Sequence, residues 1–222
     1  MTNPFSSLHR RLASTLFYPS AAASALAVGL LLARSLMLGE LADSFLVWNL
    51  FLAWIPYIMA FWAESVMLGS PRFRWHVLIP GGLWLLFLPN APYIMTDFVH
   101  LEGFDFTWWY DIGLLLAFAW AGCLLGVSSL YMMQRMVRKR MGAALSWAFM
   151  LACCGLSGLG IYFGRFLRWN SWDVLFSPRG LAHDLRHVLG DTAHYPQMIG
   201  VSGLFACFLA LGVITLAAVR RA

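Results

Sequence analysis

The sequence predicts an all-α protein, a polytopic transmembrane bundle of about six spans with both termini on the cytoplasmic side. Three observations carry that expectation. Of the 222 residues, 61% are hydrophobic and only 11% charged, with a mean hydropathy of +0.72; a water-soluble domain of this length needs more polar side chains on its outward faces. Several windows of about 20 residues are almost free of polar side chains, the length that crosses a hydrocarbon core. The Lys and Arg residues gather in alternate connections between those windows. The chain reads as a single integral membrane domain, 1–222.

His9, Arg10 and Arg11 precede an apolar run from about Ser20 to Leu38. The basic start resembles a secretory signal, but the run is long, lacks a small-x-small cleavage site and is followed by further spans. It is expected to remain as the first span. Arg34 lies near its far end, placed either to snorkel to the interface or to meet a carboxylate within the membrane. After the acidic turn Gly39–Asp43, the second span runs from about Phe45 to Ala63, and Pro56 is expected to kink it or to free a carbonyl. Ser70-Pro71-Arg72-Phe73-Arg74 makes a basic turn.

The third span begins near Trp75, with irregularity expected at Pro80-Gly81-Gly82. It ends in Leu88-Pro89-Asn90-Ala91-Pro92-Tyr93-Ile94-Met95-Thr96-Asp97-Phe98-Val99-His100-Leu101, a density of proline and polar chemistry that a connector does not need. Glu102 and Asp105 follow. Trp108-Trp109-Tyr110 reads as an interfacial aromatic belt. Asp111 then complements the N-terminus of the fourth span, which runs to about Met133. Arg135, Arg138, Lys139 and Arg140 form the strongest basic connection. The fifth span, about Met141 to Phe163, carries Gly155, Gly158 and Gly160, which permit close helix approach. A long polar segment, Gly164 to Pro196, precedes the sixth span, about Gln197 to Val219, and Arg220-Arg221. Cys123, Cys153, Cys154 and Cys207 all lie in apolar runs without a CxxC pattern and read as packing residues.

The net charge of +5 is dispersed over short clusters rather than drawn into a stripe interleaved with aromatics, which argues against nucleic acid as a partner. The clusters fall at the N-terminus, after the second and fourth spans and at the tail, as positive-inside connections do. That puts the segments after the third and fifth spans on the outer side. Asn49, Asn90, Tyr93, Asp97, His100, Asp111, Arg165, Arg168, Asn170 and Asp173 then gather at one membrane–water boundary. Polar residues at membrane depth cost on the order of a few kcal/mol each and pair or mark a functional path.

Two readings account for this cluster. In one, Arg165 and Arg168 neutralise Asp97, Asp111 and Asp173, Asn90 caps the helix end left by Pro89, and Trp169 and Trp172 anchor the interface. In the other the residues form a site. Asp97 and His100 share a face at i, i+3 and suit an acid–base pair or two metal ligands. Arg165 and Arg168 hold an anionic head group such as phosphate, oriented by Asn90, Tyr93 and Asn170, with Asn49 among the binding residues. His183 and His187 at i, i+4 resemble the zincin HExxH with Asp184 in place of Glu, a weak metal signal that a solvated amphipathic helix explains more cheaply. No cofactor is specified by any motif.

Trp48-Asn49-Leu50-Phe51-Leu52-Ala53-Trp54-Ile55-Pro56-Tyr57, Leu88-Pro89-Asn90-Ala91-Pro92-Tyr93 with Thr96-Asp97 and His100, Trp109-Tyr110-Asp111, and Gly164-Arg165-Phe166-Leu167-Arg168-Trp169-Asn170-Ser171-Trp172-Asp173 together resemble an uncharacterised family of bacterial multi-pass membrane proteins, domain-of-unknown-function family 1361. The resemblance implies location in a bacterial cytoplasmic (inner) membrane and makes those polar residues the family signature. It implies no activity, and the His183 to His194 group lies outside its blocks. The leading expectation is an integral membrane enzyme or binding protein whose partners are the lipid bilayer and a lipid or cell-envelope intermediate. A small transporter, channel or assembly subunit is the alternative. A transport path needs polar residues through the middle of the bilayer, whereas these concentrate at one end.

Overall fold

The structure, a computed structural model, describes residues 4–39, 43–68, 75–100, 108–191 and 194–220. The turns at Glu40 and at Arg72 and Arg74, and the acidic stretch at Glu102 and Asp105, lie outside them. So do the side chains of residues 4–7, 68, 75 and 100. The described residues form no strand. Their helices are α1 (Pro4–Ser14), α2 (Phe17–Leu38), α3 (Phe45–Leu68), α4 (Leu78–Phe87), α5 (Asn90–Tyr93), α6 (Trp108–Met141), α7 (Ala143–Phe166), α8 (Asp173–Phe176), α9 (Pro178–Gly190) and α10 (His194–Val219). A 3₁₀ turn, Trp75–Val77, leads into α4, and a 3₁₀ segment, Ile94–His100, follows α5. Six stretches are long and apolar enough to cross a membrane: α2, α3, the α4–α5–3₁₀ unit, α6, α7 and α10. The protein is a multi-pass helical bundle.

α6 is the spine. Its 34 residues rise about 51 Å, well beyond an apolar core of about 30 Å, and α2, α3, α5, α7 and α10 all pack on it. Arg135, Arg138, Lys139 and Arg140, expected as a loop, instead continue the helix. Side chains that water can solvate need not end it, and three of these cations lie in its last turn, where they complement the C-terminal dipole. The connection to α7 shrinks to Gly142 at φ 88°. Pro80 also departs from expectation. It sits in the first turn of α4, where the missing N–H has no intrahelical partner to lose, so Pro80-Gly81-Gly82 is regular helix. Pro56 lies inside a continuous α3.

α1 and the C-terminal end of α10 lie at one end of the bundle. Arg220 Nη1 donates to the Ser14 carbonyl at 2.5 Å, Arg11 Nη2 to Ser65 Oγ at 2.9 Å, and Arg135 lies 3.9 Å from Glu64. At the opposite end Arg34 meets Asp111 at 2.5 Å and Asp43 at 3.0 Å. Arg34 therefore takes the carboxylate-paired alternative. It clamps the end of α2 to the start of α6, and Tyr110 reinforces the clamp by donating to the Leu30 carbonyl at 2.7 Å.

The break after α4 occurs at Leu88–Pro89. Pro89 and Pro92 each withdraw an N–H from the helical ladder. The chain tightens into an i–3 bond from Ala91 N–H to the Leu88 carbonyl, 3.2 Å, beside a helical bond from Tyr93 N–H to the Pro89 carbonyl, 3.1 Å. Side chains satisfy carbonyls at either edge: Asn90 Nδ2 donates to Phe87 O at 3.1 Å and Thr96 Oγ1 to Tyr93 O at 2.7 Å. Irregular backbone at membrane depth has to be received by protein. Here two glycine faces receive it. The Ala91 carbonyl lies where a Cβ on Gly122 of α6 would be, and the Ala91 methyl would sit 3.1 Å from one on Gly126. From the other side, a Cβ on Gly160 of α7 would be 2.5 Å from Pro89 Cγ, and one on Gly164 would be 3.2 Å from the Tyr93 ring.

Candidate functional site

That wedge forms one wall of a cavity of about 720 Å³ at the end of the bundle away from the termini. α3 contributes Trp48, Asn49 and Leu52. α4 and α5 contribute Gly82, Leu85, Leu86, Asn90 and Tyr93, and α7 contributes Leu156, Leu159, Gly160, Phe163 and Gly164. The turn Arg168–Trp172 and side chains of α8 and α9 close it over. The wall is graded: amide, phenol, hydroxyl and guanidinium groups gather at the mouth, and aliphatic side chains take over further along the spans.

Arg168 owes its place to the end of α7. The Phe163 carbonyl accepts both the Leu167 and Trp169 N–H groups at 3.1 Å. Closing that turn requires a left-handed residue, and the chain uses Arg168 at φ 57°. An arginine in this region stores on the order of 1 kcal/mol of backbone strain that glycine would avoid. Arg168 lines the cavity, and its guanidinium has no hydrogen-bond or ionic partner among the described residues. Tyr93 likewise lines the cavity, and its hydroxyl has no such partner among the described residues.

Arg165, one turn earlier, differs. Its Nη1 pairs with Asp97 Oδ1 at 3.4 Å, while Asn49 Nδ2 donates to Asp97 Oδ2 at 3.0 Å. Asp97 is 1% exposed and does not line the cavity; it sits behind Asn49, which does. Asn90 Nδ2 reaches across the mouth to Ser171 Oγ at 2.8 Å, tying α5 to the turn after α7. Asn170 lines the cavity, and its backbone and side-chain nitrogens both donate to Asp173 Oδ2, at 2.7 and 3.1 Å. Asp173 thus shapes the turn from outside the cavity.

Of the residues expected at this boundary, Asn49, Asn90, Tyr93, Arg168 and Asn170 line one space, with Asp97 and Arg165 behind it. Asp111 is elsewhere, held by Arg34. His100 closes the 3₁₀ segment, with its side chain outside the described set. His183 and His187 are on the exposed face of α9, and His183 Nδ1 is 3.3 Å from Asp184. Among the described residues no group of three or more His, Cys, Asp or Glu side chains is arranged to hold a metal. Sequence reasoning misses Trp169 and Ser171 as site residues, although both stand in the Gly164–Asp173 block. It also misses Gly122 and Gly126, although their small-xxx-small spacing is itself a signal of close approach.

Trp169 latches the roof. Its indole Nε1 donates to Asp184 Oδ2 at 2.9 Å. That hydrogen bond, followed by the one from His183, holds the Asp184 carboxyl below the ordinary carboxylate value. A depressed carboxyl stabilises the folded arrangement above the unfolded-state pKa and loses that contribution as pH falls through its lowered folded pKa. Asp184→Ala is therefore expected to speed amide exchange across Pro178–Gly190 while leaving α6 unchanged. Wild-type protein should show the same selective loosening only in acid below the usual carboxylate range. Equal exchange in the variant and wild type at neutral pH would rule out the latch.

No curated protein and no solved structure matches the chain. The profile of a family described as a protein of unknown function (DUF1361) matches residues 48–211. That stretch begins at Trp48, the first residue of the cavity wall, and contains all of the cavity's lining residues, whereas Arg34 lies before it. A match over most of the chain, from the first cavity residue well into α10, establishes that the chain belongs to the DUF1361 family.

Proposed function

We propose that this cavity faces the outer side of a bacterial cytoplasmic membrane and binds the anionic head group of a lipid or cell-envelope intermediate. The observation that carries the proposal is the contrast among three arginines at this end of the bundle. Arg34 and Arg165 are each engaged by carboxylates, while Arg168, a residue of the cavity lining on a strained backbone, has no partner among the described residues. A planar fork of N–H donors suits phosphate or carboxylate oxygens. Tyr93 adds a hydroxyl, and Asn49, Asn90 and Asn170 bring amides to the same wall. Asp97 acts as a positioning residue, orienting Asn49 and balancing Arg165. The outer placement rests on Arg10, Arg11, Arg135, Arg138, Lys139, Arg140 and Arg220 gathering towards the end that holds the termini.

Arg168→Gly separates function from folding. Glycine relieves the left-handed backbone, so thermal stability is expected to hold or rise. Losing a charge-assisted, two-pronged contact should weaken anion binding roughly tenfold to a hundredfold. Native mass spectrometry of gently purified protein reads the result. Wild type should carry an anionic lipid that the glycine variant loses. Equal lipid occupancy in both, or none in either, would overturn the proposal.

A further inference from the structure

We infer that the occupant is a long-chain amphiphile whose hydrocarbon tail lies inside the same cavity and which enters sideways from the bilayer. This rests on the head-group reading above and specifies the class of ligand. A soluble anion would need only the mouth. Instead the cavity continues from Gly164 back to Leu156 along α7, eight residues or about 12 Å of helical rise. That reaches towards the middle of an apolar core about 30 Å thick. Over this length the side chains lining it include Leu52, Leu85, Leu86, Leu156, Leu159 and Phe163, all apolar.

The cavity is open at its flank. Trp48 on α3 and Leu156 on α7 line it, yet they are 54% and 52% exposed, at positions within the membrane-spanning stretches. A tail thus has a path from the surrounding lipid without leaving an apolar environment. The head group stays at the boundary beside Arg168, Tyr93 and Asn170. Charge at one end and aliphatic walls along the rest match the two halves of a single amphiphile.

Gly82 supplies the test. It lines the apolar part of the cavity, and a Cβ built there meets no atom within 4 Å. Gly82→Leu therefore starts its side chain in open space on the tail's path, and it raises helix propensity in α4. The probes are hexadecyl phosphate and butyl phosphate, measured on the full-length protein in nanodiscs. Gly82→Leu is expected to weaken hexadecyl phosphate by roughly tenfold or more, since excess volume in an apolar pocket discriminates on that scale, and to leave butyl phosphate unchanged. Gly82→Ala should show the same selectivity with a smaller loss, and Arg168→Gly should weaken both probes. Unchanged hexadecyl phosphate binding in both Gly82 variants would overturn the tail's placement while the head-group reading stands. No effect of Arg168→Gly on either probe, or no binding of either probe to wild type, would overturn the head-group reading itself.

Discussion

Gly122→Leu is expected to destabilise the bundle by about 3 kcal/mol or more, the upper range for overpacking a close contact. The reason is what the new side chain meets. Even its first carbon collides with the backbone carbonyl of Ala91, and a carbonyl in a proline-bounded turn has no rotamer by which to move aside. The Pro89–Tyr93 wedge must then lift from α6, which also withdraws Asn90 from Ser171 and Tyr93 from Gly164. At roughly 2–4 °C per kcal/mol for a chain of this size, thermal unfolding in detergent should move down by about 6–12 °C. Gly155→Leu is the control. A Cβ at Gly155 meets nothing within 4 Å, so its midpoint should stay within about 0.5 kcal/mol of wild type. If both leucine variants melt together, the close approach at Gly122 does not matter to stability.

Asp97→Ala is the second large effect. Removing one member of a buried ion pair costs about 3 kcal/mol, because the remaining charge stays desolvated without its counter-ion. Here the group left behind is Arg165, whose side chain is only 21% exposed, and Asn49 loses its acceptor as well. Asp97→Asn keeps the shape and an acceptor for Asn49 but drops the charge, so it should fall between alanine and wild type. The ordering is checked by thermal unfolding of the three proteins side by side. An alanine variant as stable as wild type would show that Asp97 is not a structural counter-ion.

Gly122 and Asp97 both act through partners distant in sequence, which the residues alone do not name. The spans were legible because an apolar run of membrane length can satisfy its backbone in hydrocarbon by closing every helical hydrogen bond within itself. The gathering of Asn49, Asn90, Tyr93, Asp97, Arg165, Arg168 and Asn170 at one end was legible because antiparallel spans alternate direction and the basic residues take the other end. Asp111 shows where that reasoning stops. Being at the same end does not put a residue in the same space, and Asp111 is held on the α2 side by Arg34. The arginines show it again. Arg165 and Arg168 look alike as sequence, separated by three residues in one basic turn. The α7 end then sets one against a buried carboxylate and the other in the lining of a cavity.

Helix ends were legible where a proline or a charge acts within its own chain, and misjudged where solvent or position decides. The four cations after Met133 do not end α6, because a helix can continue into water beyond the bilayer. Pro80 does not disturb α4, because it falls in the first turn. Pro89 and Pro92 do break the ladder, because they stand where N–H groups are needed, and that break remains inside the bundle only because Gly122 and Gly160 make room for it.

Composition, spacing and the placement of Lys and Arg thus determined by themselves that this is a multi-pass helical protein, since the cost of polar groups in hydrocarbon acts on each segment independently. Which polar groups pair with one another, and which are left facing a space, was decided only by tertiary structure. Pairing depends on distances between side chains far apart in sequence: 3.0 Å from Asn49 to Asp97, 2.8 Å from Asn90 to Ser171. Those distances exist only once α5 has settled between α6 and α7.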